Sequence, residues 1–434
     1  MEQSLLLDDA AQTCPQTIFP DGVAPLTDHT QYRRVVLASA LGWGLDGFDH
    51  TMFALALGAM LTTLHLSIGI GGTISTASLV ASAVGGMFGG VLADRYGRVR
   101  VLVWVVVGFS VATALTATAQ SAMQLVAWRT LEGLCFGAEW PVGVALLSEY
   151  ARAGSRGRMM AFMQSAYSIG WAASTVAWFV VASSAAPANG WRWLFVLGLL
   201  PAFAIFVVRR GIHDRMVQQE RGAFSPFAGI ARLFHADLRR PTLSATVFLV
   251  GAHGNYYSIV TFLPLYLATG RGLHVAGTTM FMLVQILGGF IGYVSSGFFH
   301  DRFGRRPTQT ATFLFSIASI AAFLYAPVQS LVMGYVLVFF VGMSISSSAG
   351  GLGAILSEQF PTAVRGAGVG FTYNVGRGIA SLGPMLIGFM AGHYGLGWSM
   401  MVVGIALASL SIVALWTLPE TRGLEIASAG GRPA

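Results

Sequence analysis

The 434-residue sequence contains no lysine; all 25 of its basic side chains are arginine. That absence excludes every mechanism needing a lysine amine in this chain, including a GK[ST] phosphate loop and Schiff-base chemistry. No HExxH or GxSxG pattern occurs either. Arginine-only usage fits a GC-rich, bacterial genome. Charge itself is scarce: 10% of residues are charged and 55% hydrophobic, against roughly 25% charged in ordinary soluble domains. A soluble chain of this length would need far more polar surface to cover its core. Apolar runs near the ~20 residues that cross a bilayer recur along the whole sequence. The chain reads as an all-α, polytopic membrane protein. Cysteine is nearly missing: Cys14 falls in a tail and Cys135 in a span, which gives no disulfide framework and no metal site. No cofactor is expected.

The net charge of +7 follows a membrane, not a nucleic acid. Arginines cluster at 33–34, 95–100, 152–158, 209–240, 302–306 and 365, in alternate loops, with Arg192 and Arg271 as the exceptions. That alternation places the basic loops, and both termini, in the cytoplasm. The first 32 residues are acidic and polar without an apolar signal region, so no cleavable leader is expected. The expected location is the inner membrane of a bacterium.

Apolar runs between polar breaks predict twelve helices, near 35–61, 70–93, 99–119, 122–148, 158–184, 191–209, 241–269, 275–299, 308–326, 329–356, 366–391 and 397–418. The predicted organisation is a tail (1–32), a six-helix bundle (33–209), a charged cytoplasmic loop (210–240), a second six-helix bundle (241–418) and a tail (419–434). The loop's amphipathic parts fit either the inner membrane surface or a solvated linker. Two motifs repeat between the halves. "GGVLADRYGRVR" (89–100) recurs as "SGFFHDRFGRRP" (296–307), and "LLSEYARAGSRGR" (146–158) recurs as "ILSEQFPTAVRGA" (355–367). Asp94 maps to Asp301 at an offset of 207, and Glu149 to Glu358 at 209. Two motifs repeating at nearly one offset mean a duplicated six-helix unit, an architecture used by transporters.

The G-x3-D-R-x-G-R loops after helices two and eight, with "RTLEGLCFG" (129–137) in helix four, resemble the major facilitator superfamily from residue 33 to about 423. The resemblance implies twelve transmembrane helices in two pseudo-symmetric six-helix bundles. It also implies a cytoplasmic latch role for Asp94, Arg98, Asp301 and Arg305, to which the adjacent Arg95 and Arg302 belong by position. Glu149 with Arg156, and Glu358 with Arg365, would add ion pairs that break and form as the gate moves. An alternative holds that these loop charges only set topology and cap helices.

Six ionisable residues fall well inside predicted spans: Asp46, Asp49, Arg129, Glu132, Glu139 and Arg377. Each costs at least ~2.5–3.5 kcal/mol at mid-bilayer, so such side chains normally face a cavity or one another. Arg129 and Glu132, three apart on one helix face, could satisfy each other and only fix packing. Helix four places Arg129, Glu132, Phe136, Glu139 and Gly143 on one face; helix one does the same for Asp46, Asp49, His50 and Phe53. Carboxylates withdrawn from water take up protons more readily, which is what a proton-coupled carrier needs. Arg377 cannot give up its proton and needs an anionic partner, either an acid of the first half or a substrate carboxylate. The duplication maps Asp46 onto His253, so His253 joins Asp46, Asp49, Glu132 and Glu139 as a candidate proton group, with a packing role as its alternative. Gln164, Tyr167, Tyr257, Gln285, Tyr373 and Asn374 join Arg377 as candidate substrate contacts, and for each alone a packing role is the competing reading. Gly85, Gly86, Gly89 and Gly90 read as close helix contacts, and Pro141 and Pro384 as kinks.

Asp46-Gly-Phe-Asp49 resembles the D-G-x-D motif of aromatic-acid/proton symporters. "FGAEWPVGVALLSEY" (136–150) resembles helix four of sialate-type organic-acid symporters, with Glu139 at the position of their glutamate. The closing "PETRGLE" (419–425) resembles the sugar-porter tail, but the paired glutamines of that group are missing from helix seven, where Ala252 and His253 stand. The expected function is therefore proton-coupled uptake of a small organic carboxylate: an aromatic acid, a muconate-like diacid, a hydroxy acid or a sialic acid. Sugar/proton symport and drug/proton antiport are the alternatives. A membrane enzyme lacks any nucleophile–base arrangement here. The expected partners are a carboxylate, protons and the lipid bilayer, with the monomer as the functional unit.

Overall fold

The computed structural model describes residues 29–96, 98–150, 156–184, 189–200, 226–325, 330–361 and 364–421. Within them the side chains of 29–39, 89–91, 93–95, 98–99, 102, 138–150, 156–162 and 226–228 fall outside the description. The described chain folds into helices: α1 (His29–Thr63), α2 (Ile68–Tyr96), α3 (Arg98–Thr116), α4 (Ala122–Tyr150), α5 (Arg156–Ser183), α6 (Gly190–Leu197), α7 (Pro226–Leu233), α8 (Arg239–Val260), α9 (Leu263–Thr269), α10 (Val275–Phe303), α11 (Arg305–Tyr325), α12 (Leu331–Gly350), α13 (Leu352–Gln359), α14 (Arg365–Ala380), α15 (Leu382–Tyr394) and α16 (Leu396–Trp416). Among the described residues, seven stretches are long and apolar enough to cross a membrane.

Among the described residues, three predicted spans divide into two helices each. The break between α14 and α15 lies three residues before Pro384, whose ring cannot donate to the helix ladder and crowds the carbonyl four residues back. The Ser381 carbonyl at this break accepts a 2.6 Å bond from Thr76 Oγ1. Pro264 stands in the first turn of α9, just after the α8–α9 break, and Gly351 separates α12 from α13. α4, by contrast, passes through Pro141 as one helix.

The duplication is visible in which helices touch. α2 packs on α4 as α10 packs on α12, α1 on α5 as α8 on α14, and α3 on α6 as α11 on α16. The correspondence extends to single atoms. A Cβ on Gly133 would lie 2.1 Å from the Ser78 carbonyl oxygen, and a Cβ on Gly342 would lie 1.9 Å from that of Gln285. Gly85 faces the Leu134 carbonyl as Gly292 faces that of Met343. Both pairs obey the offsets of 207 and 209. In lipid, helices associate through close backbone approach and not through the hydrophobic effect. Glycine is what permits that approach here.

The two halves meet along three seams: α2 against α14–α15, α5 against α10, and α1 against α9. At the end away from the D-R-x-G-R loops, one apolar cluster includes Met52, Leu57, Met60 and Ile74 of the first half with Leu265 and Ile387 of the second. Towards the loop end, the described clusters each belong to one half: Val101–Phe109 in the first, and Phe248, Phe313, Leu356 and Leu415 in the second. Among the described residues, this shared apolar cluster seals the two halves together at the end away from the loops.

The two arginines that break the alternation of basic loops serve the sealed end. Arg192 Nη1 donates to the Ala117 and Ala119 carbonyls beyond the last turn of α3, at 2.5 and 2.8 Å. Arg271 lies over the Tyr266 and Phe323 rings and donates to the Phe323 carbonyl in the last turn of α11. A cation at a helix C-terminus satisfies carbonyls left without intrahelical partners and opposes the helix dipole. In the central loop, Leu233 at the end of α7 packs with Phe360 and Val364 beside α14, and Phe234 meets Phe371 edge-on at 5.4 Å. Arg232 and Asp237 form a two-bond pair, each bond 2.6 Å.

One substitution tests the sealed seam. A Cβ on Gly72 would sit 2.4 Å from the Pro384 carbonyl oxygen across the two halves. Gly72→Ala is expected to disfavour this arrangement while leaving each half folded. Spin labels on the sealed ends of α2 and α15 should then report a longer, broader distance distribution than in the unsubstituted protein. An unchanged distribution would contradict the seam.

Candidate functional site

Helix α1 carries the acids that first mark the centre. Asp46 and Asp49 are both fully buried, yet their surroundings differ. Asp49 accepts a 2.8 Å bond from Thr113 Oγ1 of α3, and a Cβ on Gly198, just past α6, would lie 3.0 Å from its Oδ1. Asp49 is therefore packed inside the first half. Asp46 lies within electrostatic range of the Tyr167 and Tyr373 hydroxyls, one from each half. The expectation that Asp46, Asp49 and His50 share one face needs correcting for this reason. Adjacent helical positions are about 100° apart, so a helix that aims His50 at the seam turns Asp49 towards α3.

His50 stacks on Phe136 of α4, centroids 4.9 Å apart and planes 13° apart, with Tyr257 of α8 at 6.5 Å. Arg377 of α14 lies 5.8 Å from the Phe136 ring centroid and 5.5 Å from that of Tyr373. This guanidinium is 3% exposed. Its Nη2 donates across the seam to the Ser82 carbonyl at 3.0 Å and, within α14, to Asn374 Oδ1 at 3.1 Å. Its Nε–H has no acceptor. Among the described residues no carboxylate forms an ion pair with Arg377. Asn374 is locked in turn, donating to the Gly370 carbonyl at 2.9 Å, with its Oδ1 packed where a Cβ on Gly86 would stand.

Around this point the walls are aromatic. His253 bonds the Leu249 carbonyl through Nδ1 at 3.1 Å and meets Tyr373 edge-on at 4.8 Å and 87°. Tyr257 lies 6.0 Å from His253. Tyr167 packs between Trp43 and Trp171 at 5.4 and 6.5 Å, and its hydroxyl reaches Tyr256 across the halves. Two amides also stand without partners: Gln164 at Oε1, and the fully buried Gln285 at both Oε1 and Nε2. Buried polar groups are normally hydrogen-bonded, so each exception needs an occupant or a role.

Arg129 and Glu132 do form the expected pair, Nη2 to Oε2 at 3.5 Å, with Ser78 Oγ donating to the same carboxylate oxygen at 2.8 Å. The pair does not satisfy itself. Arg129 Nε and Nη1 and Glu132 Oε1 lack hydrogen-bond partners. The Arg129 guanidinium lies 5.0 Å from the Phe53 centroid.

The side chains of Glu139, Asp94, Arg95, Arg98, Glu149 and Arg156 lie outside the described residues. Of the proposed gate, the described members cluster within the second half. Arg305 binds Glu358 through two bonds, 2.8 and 3.1 Å, and pairs with Asp301 at 2.9 Å. Glu358 has Arg305 as its ion partner in this arrangement, and Arg365 donates to the Phe360 carbonyl at 3.3 Å. Arg302 lies over Phe303. Glu420, in the sugar-porter-like tail, caps α11 by accepting from the Arg305 and Arg306 backbone N–H groups at 2.9 and 2.8 Å. Such a carboxylate satisfies helix N–H groups that have no intrahelical acceptor.

His50, Phe136 and the Ser82 carbonyl are the central contributors that residue-type reasoning left without a role. The helical spacing Arg129–Glu132–Phe136 does put Phe136 on the inward face, whereas a backbone carbonyl leaves no trace in a sequence.

The chain matches the Major Facilitator Superfamily model over residues 35–384. It is 33% identical over 403 residues to a probable 4-methylmuconolactone transporter of Cupriavidus pinatubonensis, covering 92% of this chain and 93% of that one. It is 28% identical to a cis,cis-muconate transport protein of Acinetobacter baylyi, covering 87% and 92%. Among solved structures it superposes on the inward-open xylose transporter XylE of E. coli with a TM-score of 0.72 at 18% identity, covering 90% and 97%. The duplicated helices, the two-half seam and these matches agree: the chain belongs to the Major Facilitator Superfamily and is a multi-pass membrane transporter, not an enzyme.

Proposed function

We propose that this transporter takes up a small, planar organic carboxylate together with protons. One observation carries the reading: a permanently charged guanidinium, buried at the contact between the halves, keeps an N–H without an acceptor between two aromatic rings. Arginine offers its charge and its planar donors to a carboxylate together. The rings of Phe136 and Tyr373 suit a flat substrate, and Tyr257, Gln164, Tyr167, Gln285 and Asn374 supply the remaining walls and polar contacts. Relatives named for 4-methylmuconolactone and cis,cis-muconate support an organic acid over a sugar. A neutral sugar would leave the charge of Arg377 uncompensated.

Protons are carried by Asp46, which acts electrostatically on Tyr373 of the other half, with Glu132 and Glu139 of α4, Asp49 and His253 as further members of the same set. Loading an anion with protons reduces the charge moved and lets a proton gradient drive accumulation. The D-R-x-G-R loops face the cytoplasm in this reading, so the sealed end is periplasmic and the structure is inward-facing. Return to the outward state would close the loop end, bringing Asp301, Arg302, Arg305, Glu358 and Arg365 against Asp94, Arg95, Arg98, Glu149 and Arg156. The protein works as a monomer in the bacterial inner membrane.

Uptake of radiolabelled benzoate into proteoliposomes tests the site. Arg377→Ala should reduce uptake efficiency roughly 30-fold or more, the loss expected when a buried charged partner is removed. Arg377→Lys should recover little, because an ammonium lacks the planar fork. Unimpaired uptake in both would remove Arg377 from the site.

Coupling has a separate test. An inward proton gradient should accelerate benzoate uptake by the unsubstituted protein. Asp46→Asn should lose that acceleration while still exchanging internal for external benzoate at equal pH. Acceleration that survives the substitution would contradict the role of Asp46.

A further inference from the structure

A buried histidine at the loop end of the second half has no part in the function proposed above. His300 stands in the last turn of α10 and is 2% exposed. Its Nδ1 lies 2.8 Å from the Ser296 carbonyl oxygen, with Ser296 Oγ farther away at 3.3 Å. Its Nε2 lies 3.0 Å from Gln309 Oε1 of α11. The other end of that amide fixes its orientation, since Gln309 Nε2 donates to the Ser348 carbonyl at 3.0 Å. Turning the amide over would set its oxygen against a carbonyl oxygen.

Both ring nitrogens therefore face oxygens that only accept. A neutral imidazole has one N–H and would leave a lone pair against the second oxygen, whereas the imidazolium donates to both. The cation also lies in the last turn of α10 and beside the last turn of α12, and positive charge is stabilised at helix C-termini. Burial and the Arg305 guanidinium oppose the charge; the Ser296 and Gln309 bonds and Asp301 favour it. Arg305 is itself held by Asp301 and by Glu358 of α13.

The ring is wedged at the joint between α12 and α13. A Cβ on Gly351 would collide with its Cε1 and Nε2, and one on Gly350 would lie 2.9 Å from Ser296 Oγ. Ser348, reached through Gln309, stands in the last turn of α12, where carbonyls lack intrahelical partners. Beyond the joint, α13 carries the Glu358 that binds Arg305. One proton thus ties α10 and α11 to the point at which α12 breaks. The fold does not require this arrangement. At the offset of 207, His300 and Gln309 correspond to Ala93 and Leu102; at 209, Gly351 corresponds to Val142, inside the unbroken α4.

We propose that His300 is a proton switch: protonated, it fixes the α12–α13 joint and holds the loop end in this arrangement, and loss of the proton frees the joint. The switch does not depend on what the protein carries. It is engaged on the acid side and lost as the pH at the loop end rises, because the neutral ring must give up one of its two bonds. With those loops in the cytoplasm, acidification there would slow a carrier that brings protons in.

Hydrogen exchange of the purified full-length protein in lipid nanodiscs, with no ligand added, tests the switch. The measurement runs from about pH 5 to pH 8, the interval across which histidine changes charge. Corrected for the intrinsic effect of pH, exchange at residues 351–355 should become about tenfold faster towards the alkaline end, as loss of one charged hydrogen bond implies. His300→Gln should remove this pH dependence. Gln309→Glu should move its midpoint to higher pH, since a carboxylate holds the imidazolium proton more firmly. That variant keeps His300 and decides the matter if His300→Gln does not fold; a histidine that only fills space would not respond to it. Exchange independent of pH in the unsubstituted protein would overturn the switch. So would a pH dependence that survives His300→Gln, or a midpoint that Gln309→Glu leaves in place.

Discussion

An arginine buried at the contact between two halves constrains the rest of this molecule. The Arg377 side chain cannot lose its proton, and far from water a guanidinium needs acceptors around it. The protein supplies two through one nitrogen: a carbonyl of α2 in the opposite half, and Asn374 on its own helix. The bond to Ser82 makes the cation part of the seam as well as part of the site. Anything that draws Arg377 away from Ser82 also alters the contact between α2 and α14. In the proposed function a substrate carboxylate would do so, and would link binding to the movement of the halves through one side chain.

That linkage depends on backbones coming close. Gly86 lets Asn374 press against α2, Gly72 admits the Pro384 carbonyl, and Thr76 ties down Ser381 where Pro384 has broken the helix. The α2–α4 and α10–α12 contacts use glycines at matching positions, so each of these helix pairs is tightly packed. The apolar cluster around Met60 and Ile387 holds the two halves together at the end away from the D-R-x-G-R loops. Rocking about such a seal exposes the centre to one side at a time, which is the basis of alternating access in folds built from repeats.

Much of this was legible in the sequence, and the reasons differ by feature. The membrane-spanning character followed from apolar length, with seven such stretches among the described residues, and the duplication from two motifs sharing one offset, which reappears in the Gly133–Ser78 and Gly342–Gln285 contacts. The buried state of Asp46, Asp49, Arg129, Glu132 and Arg377 followed from their position within apolar runs. Direction was harder. A 60° difference around α1 separates Asp46 from Asp49, and spacing alone does not say which of them meets the seam. The Ser82 carbonyl was invisible because every residue has one. The Glu358–Arg305 pair was not legible because 53 residues separate its members, and only the fold brings the loop after α10 against the end of α13. The breaks at Pro264 and Pro384 show what proline does when no neighbouring turn compensates; α4 shows a helix continuing through one.

The location of a bound carboxylate tests the central claim most directly. Anomalous scattering from crystals grown with 4-bromobenzoate would fix the ring and its orientation. The account predicts a bromine site among the aromatic side chains at the seam, with the carboxylate within hydrogen-bonding distance of the Arg377 guanidinium. A bromine site away from α14, with Arg377 still directed only at Ser82 and Asn374, would contradict it.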